Sequence, residues 1–135
     1  MLIKGSITAL VTPMNEKGDL DYDSLEKLIN HQINSGISGL VAVGTTGESA
    51  TIDFKDHIKL IEFFVKVNKG RVHIIAGTGA NSTEEALHLT KEAKSAGADA
   101  ALLVSPYYNK PPQEGIYYHH MKIADEVDIP QILYN

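Results

Sequence analysis

Apolar, β-branched runs begin near residues 6, 39, 72, 100 and 131, and an amphipathic stretch separates each from the next. That recurrence is close to the ~30 residues of a strand–helix–strand unit. It constrains the chain to a parallel sheet with helices outside it. The first run, Ser6 to Val11, stops at Thr12-Pro13, and Asn15-Glu16-Lys17-Gly18-Asp19 supplies loop chemistry. Asp23 is placed to cap a helix with Leu25, Leu28, Ile29 and Ile33 on one face, ending near Gly36. The second strand spans Gly39 to Val43, and a helix over roughly Asp53 to Asn68 turns Ile58, Ile61, Phe64 and Val65 inward and closes at Lys69-Gly70. The third strand, His73 to Ala76, breaks at Gly77-Thr78-Gly79. A capping box at Ser82-Thr83-Glu84-Glu85 then starts a helix that carries Ala86, Leu89 and Ala93 to Gly97. The fourth strand, Ala100 to Val104, runs into a segment with three prolines that forbid helix until about Gln113. Ile116, His120, Ile123, Ala124 and Val127 mark the fourth helix, and Gln131 to Asn135 begins a fifth strand.

Two parallel architectures satisfy this pattern. A dinucleotide-binding open sheet wants G-x-G-x-x-G after the first strand, where this chain has Thr12-Pro13-Met14-Asn15. The nearest match, Gly77-Thr78-Gly79-Ala80-Asn81-Ser82, follows the third strand and lacks the last glycine. A (β/α)8 TIM-barrel type of fold is preferred, because every strand end carries polar or special residues: Thr12, Thr45-Thr46, Thr78, Ser105 with Tyr107-Tyr108, and Tyr134. The chain accounts for four βα units and the start of strand five. Residues 1–135 read as the N-terminal half of one barrel domain with no second domain.

Composition narrows the partners. A net charge of −5, with 12 Lys+Arg spread along the chain, argues against a nucleic-acid surface or an anionic membrane patch and favours a small-molecule ligand. The absence of cysteine excludes thiolate nucleophiles and Cys-ligated zinc, and fits a cytoplasmic protein. The N-terminal stretch from Met1 to Thr8 has no apolar core of a leader, and no apolar run approaches the ~18 residues of a membrane span.

The stretch with the most chemistry is Val41-Ala42-Val43-Gly44-Thr45-Thr46-Gly47-Glu48-Ser49, a buried strand breaking into two glycines around two threonines. Glycines permit φ > 0 and close approach of backbone amides, so the turn could cradle a small carboxylate; it could equally be a tight turn and nothing more. Motifs for zinc proteases, serine hydrolases and P-loops are missing. His31, His57, His88, His119 and His120 fall in predicted helices and His73 in a strand, with no pair at metal-ligand spacing and His119-His120 pointing apart, so no metal is expected. The strand ends collect hydroxyls instead: Thr45, Thr46, Tyr107, Tyr108 and Tyr134. Such groups donate and accept, and could pass a proton along a chain. A cofactor-free site of that kind would be served by a lysine that forms a Schiff base with a keto acid, yet no lysine stands at the end of a predicted strand.

Gly-Thr-Thr-Gly-Glu-Ser-Ala-Thr, Ile-Ala-Gly-Thr-Gly-Ala-Asn, Pro-Tyr-Tyr-Asn-Lys-Pro and the terminal Ile-Leu-Tyr-Asn, in this order and spacing, resemble the dihydrodipicolinate synthase (4-hydroxy-tetrahydrodipicolinate synthase) family. The resemblance implies a (β/α)8 barrel that condenses pyruvate with aspartate semialdehyde in lysine biosynthesis, without a cofactor, as a homo-oligomer expected to be a tetramer. Under it, Thr45 and Tyr134 match two members of the hydroxyl relay. Tyr108 matches the third, contributed by a neighbouring subunit, and Thr46 with the Thr45 and Thr46 amides matches the pyruvate-carboxylate cradle. Ser49, Ala50, His57, Asn81, Glu85 and Tyr107 match positions that line a lysine-feedback site in inhibited members. The family's Schiff-base lysine lies on a sixth strand, and the arginine that holds the second substrate follows the fifth; neither is in this sequence. Sister aldolases acting on acylneuraminate or keto-deoxy sugar acids are the nearest rivals, and a non-catalytic half-barrel that binds a partner is the rival from another class.

Two expectations can be measured directly. Phe54 stands where strongly inhibited members often place a histidine, so lysine should bind weakly or not at all, and tight binding in calorimetry on the full-length protein would contradict this. Residues 1–135 alone should form no imine with pyruvate. Borohydride trapping followed by intact mass tests this, and a stoichiometric pyruvyl adduct on one of the lysines present would overturn it. The edges at strands one and five should leave an apolar wall that drives self-association or unfolding.

Overall fold

Five strands pair side by side, all parallel, in the order in which the chain makes them. The computed structural model describes residues 3–135; Met1 and Leu2, part of the N-terminal stretch read above, lie outside the described residues. The elements are β1 (Ile7–Ala9), α1 (Tyr22–Asn34), β2 (Gly39–Ala42), α2 (Phe54–Asn68), β3 (His73–Gly77), α3 (Thr83–Ala96), β4 (Ala100–Val104), α4 (Gln113–Glu126) and β5 (Gln131–Tyr134). A strictly sequential order has no point at which the strand direction of growth reverses, which separates this sheet from a doubly wound one. It is the partial barrel expected of a (β/α)8 fold, with four βα units and a fifth strand.

The helices begin and end where local chemistry permits. Asp21, not Asp23, caps α1: its carboxylate accepts from the Ser24 amide and hydroxyl, which holds its pKa below the ordinary carboxylate range, while Asp23 sits in the first turn. Asp53 accepts from the Lys55 amide at the start of α2, and Ser82 accepts from the Glu85 amide at the start of α3. Helix α3 ends in Gly97 at φ 92, a conformation glycine adopts without Cβ strain. In α2 the inward face keeps Ile61 and Phe64 of the expectation but is completed by other residues. His57, Leu60, Ile61, Phe64 and Val67 are buried, whereas Ile58 and Val65 are only partly so. Ala124 of α4 is exposed, and His119, His120 and Ile123 are the buried positions of that helix.

Strand alternation divides the core. Leu40, Ala42, Ile74 and Ala76 face the helices and join Leu25, Ile29, Leu60, Ile61 and Phe64 in one cluster. Val41, Ile75 and Ala100, backed by Ile7, Leu102 and Ile132, form a second cluster on the other face of the sheet, where a barrel has its interior. The middle of that inner layer is covered, with Ile75 1% exposed and Ala100 0%. Exposed apolar side chains stand at both edges, Val11 past β1 at 51% and others on the helix side of β5. There Leu133 is 61% exposed, above a groove of ≈ 360 Å³ lined by His120, Met121, Val127 and Ile129 among others.

His119 and His120 do not point apart. Both rings are buried, 5.1 Å between centroids and nearly perpendicular, with the Thr83 hydroxyl 2.8 Å from His119 Nδ1. Helix twist separates neighbours by only about 100°, and the seam that α4 makes with α3 and the sheet is wide enough to take both. Among the described residues His119 Nε2 and His120 Nδ1 have no hydrogen-bond partner. Burial pushes both imidazoles below the ordinary histidine range, and does the same to His57. The unfolded chain therefore binds protons at a higher pH than the folded chain does, so stability is complete above about pH 6.5 and declines as pH falls below it. Thermal unfolding between pH 8 and 5 should show a falling midpoint over that window. His120→Phe, which removes an unpaired ring nitrogen, should flatten the decline.

Candidate functional site

The chemistry gathers at the carboxyl ends of β2 to β5, where Thr45, Glu48, Ser49, Ala50, Thr51, Val104, Tyr107, Tyr134 and Asn135 surround a cavity of ≈ 400 Å³. Beneath it, Val43, Gly44, Thr45, Gly77, Gly79, Val104 and Tyr134 enclose a small void. Thr45 and Tyr134 line both. Strands carry these residues here because Val104 and Tyr134 are register partners on the inner face of β4 and β5.

The turn after β2 is built differently from the sequence expectation. Gly44 has φ −78, and Gly47 is not among the residues with positive φ; the left-handed residues are Val43 at φ 53 and Glu48 at φ 62. The glycines are needed for space. A Cβ on Gly47 would lie 3.0 Å from Thr12 Oγ1 and 3.1 Å from the Leu10 carbonyl oxygen, and one on Gly44 would lie 3.1 Å from Val41 Cγ1. Two 3-10 turns follow: Thr45–Gly47, closed by bonds from the Gly47 amide to Gly44 O at 2.9 Å and the Glu48 amide to Thr45 O at 3.1 Å, and Ser49–Thr51, closed by the Thr51 amide to Glu48 O at 3.0 Å. A β-branched residue at positive φ is a genuine outlier that costs about 1–3 kcal/mol and persists only where its surroundings enforce it. Val43 is such a residue, fully buried at the floor of the site.

Not every strand-end hydroxyl belongs to the cavity. Thr12, 6% exposed, donates to the Gly47 carbonyl at 2.8 Å and so ties the chain leaving β1 to the turn. Thr78 is fully buried against Thr90. Since the Thr90 hydroxyl gives its one proton to Ala86 O at 2.7 Å, Thr78 must be the donor to Thr90. Both are clamps. Thr46 is exposed and is absent from the walls of either space. Tyr108, at φ 71, is 92% exposed and equally remote from them. No hydrogen bond joins Thr45, Tyr108 and Tyr134 among the described residues.

The proposed lysine-site residues also divide. Ser49, Ala50 and Tyr107 line the cavity itself. Asn81 uses its carbonyl to accept from the Asn109 amide side chain at 3.4 Å, and Glu85 is exposed in the first turn of α3. His57 is 3% exposed with Nε2 2.7 Å from the Gly77 carbonyl, so its ring is spent on the protein. Phe54 packs against the His88 ring, 4.8 Å between centroids. Among the described residues no group of His, Cys, Asp and Glu is arranged to hold a metal, no helix is long and apolar enough to cross a membrane, and no lysine lines the cavity.

The model of the dihydrodipicolinate synthetase family matches residues 2–135. The chain belongs to that family. It is 62% identical over 134 residues to the 4-hydroxy-tetrahydrodipicolinate synthase of Pseudomonas putida (strain W619), covering 99% of this chain and 46% of that protein. The chloride-inhibited dihydrodipicolinate synthase of Acinetobacter baumannii, solved with pyruvate, superposes with a TM-score of 0.97 at 56% identity, over 99% of this chain and 46% of that one. The DHDPS of Cyanidioschyzon merolae, solved with lysine bound, superposes with a TM-score of 0.95 at 43% identity, over 98% of this chain and 46% of that one. The chain thus spans about half the length of the family members it matches.

Sequence reasoning missed Thr12 and Val43. Thr12 read as a strand-end hydroxyl with no stated partner, because its acceptor lies 35 residues away on another unit. Val43 carried no signal, since a valine after a β-branched run reads as one more strand residue. Thr12→Val should destabilise the fold by about 1–3 kcal/mol through the stranded Gly47 carbonyl, and Thr12→Ser should restore most of it; chemical denaturation of the two variants is the check.

Proposed function

We propose that this chain carries the N-terminal half of a single (β/α)8 barrel domain that works as a 4-hydroxy-tetrahydrodipicolinate synthase, joining pyruvate to aspartate semialdehyde in the diaminopimelate route to lysine. The observation that carries the reading is the meeting of Thr45 and Tyr134 at one cavity at the carboxyl ends of β2 and β5. Thr45 and Tyr134 are the catalytic hydroxyls, able to hand a proton between the reacting carbon skeleton and solvent. Tyr108, projecting into solvent from its own subunit, completes the relay in a neighbouring copy, in a homotetramer. The Thr45 and Thr46 amides, at the open start of a 3-10 turn, hold the pyruvate carboxylate. The Schiff-base lysine comes from outside the five strands described, since none of their carboxyl ends carries one. The pyruvate complex of the Acinetobacter relative supports the choice of substrate. The protein needs no cofactor and acts in the cytoplasm.

Feedback by lysine is the regulatory part of the proposal. The Cyanidioschyzon relative was solved with lysine bound, and Ser49, Ala50 and Tyr107 offer a wall for such a ligand, with Asn81 and Glu85 nearer α3. His57 can take part only if its ring leaves the Gly77 carbonyl, and Phe54 supplies no hydrogen bond, so affinity should be low.

The rival aldolases are separated by turnover. In the enzyme that contains these residues, aspartate semialdehyde with pyruvate should be consumed and sialic acid left intact; the reverse preference would refute the assignment. Thr45→Val and Tyr134→Phe should each lower turnover by about 10²-fold with the fold retained. Near-normal rates in folded variants would remove these hydroxyls from the mechanism.

A further inference from the structure

We infer that His57 is a positioning residue for Thr45, acting through the Gly77 carbonyl and the left-handed turn at Val43. The inference rests on the reading that Thr45 faces the ligand.

The contacts form one continuous path. The ladder between β2 and β3 ends with Ala42 beside Ala76, so the Gly77 peptide lies past the last register pair of the two strands. A carbonyl oxygen only accepts, so His57 Nε2, 2.7 Å from Gly77 O, must carry the ring proton. This bond reaches from the first turns of α2 to the end of β3 and fixes the Gly77 peptide. Gly77 in turn lies directly against the backbone of the turn: a Cβ there would overlap the Val43 carbonyl and approach Gly44 Cα to 2.8 Å. Val43 has φ 53 at this point, so the chain leaves β2 through a left-handed residue before Gly44 and Thr45. Thr12, bonded to Gly47 O, holds the far end of the same turn. The turn that carries Thr45, a residue lining the cavity, is therefore held at both ends.

The choice of histidine is itself informative. His57 shares its face of α2 with Leu60, Ile61 and Phe64, where an aliphatic side chain would pack without desolvating an imidazole. What the imidazole adds is the Gly77 bond. A role of this kind differs from lining a ligand site, because the group is 3% exposed and is already occupied.

NMR on the full-length protein tests the inference without a substrate. The Nε2 and Nδ1 shifts of His57 in the unmodified protein should report the neutral tautomer protonated on Nε2; the opposite tautomer would overturn the proposal. In His57→Leu, amide exchange at Gly47 and Glu48 should accelerate about tenfold more than in α3, and His57→Gln, whose amide can donate to the same carbonyl, should restore wild-type exchange. Unchanged exchange at Gly47 and Glu48 in His57→Leu would refute it, as would a failure of His57→Gln to restore. If His57→Leu does not fold, the tautomer and the His57→Gln exchange pattern decide by themselves. A separate pyruvate titration of the unmodified full-length protein distinguishes the underlying reading: the absence of any shift at Thr45 would count against the functional assignment while leaving the exchange result to judge His57.

Discussion

Parallel pairing in sequence order is the constraint on which the rest of this structure depends. Each strand must return to the same end of the sheet, so each is followed by a helix of four turns or so, and every strand delivers its carboxyl end to one rim. The inner layer has to be made of residues that fit where strands curve toward each other. Val41, Ile75 and Ala100 fill it, and β3 carries a glycine, Gly77, where the turn after β2 folds over it. Leu40, Ile74 and Leu103 are on the helix side, where α1 to α4 cover them. With this division the rim is left free of packing duty and can hold polar groups.

The rim is organised by close backbone approaches more than by side-chain networks. Gly77 sits against Val43 and Gly44, Gly79 against the Val104 backbone, and Gly47 against Leu10 and Thr12. At each of these points a methyl group would push two strand ends apart. The outcome is a turn whose two left-handed residues, Val43 and Glu48, are not glycines at all. The strain at Val43 is sustained because the neighbouring chain leaves the turn no other course, and it is local to the place where Thr45 and Tyr134 meet.

The buried histidines give the fold its pH character. His57 exchanges hydration for one bond to a strand end, while His119 and His120 meet edge to face in the α4 seam, each with one ring nitrogen unpaired among the described residues. All three are neutral in the folded chain at ordinary pH because burial disfavours the charged form. The sequence showed histidines in helices, but it could not show which of them were buried, because adjacent positions on a helix face different directions until a neighbouring seam is wide enough to take both.

What the sequence determined by itself was the order and kind of the elements. Strand starts expected near 39, 100 and 131 are found at Gly39, Ala100 and Gln131, and Ser82 caps α3 as its capping box demands. Those features depend on periodicity, capping and proline, which act within a few residues. The family was legible for the same reason, since its motifs are contiguous. What only the tertiary structure decided was which hydroxyls look into the cavity and which are clamps. Thr45 and Tyr134 line it while Thr12 and Thr78 are tied into the scaffold, and Thr46 and Tyr108 are turned to solvent. All six stand beyond strand ends or at them and look alike in sequence. Their fates differ because each is settled by what the fold brings beside it, Thr90 of the following helix for Thr78 and Gly47, 35 residues away on the next unit, for Thr12, and no pattern at the strand end itself encodes such a contact.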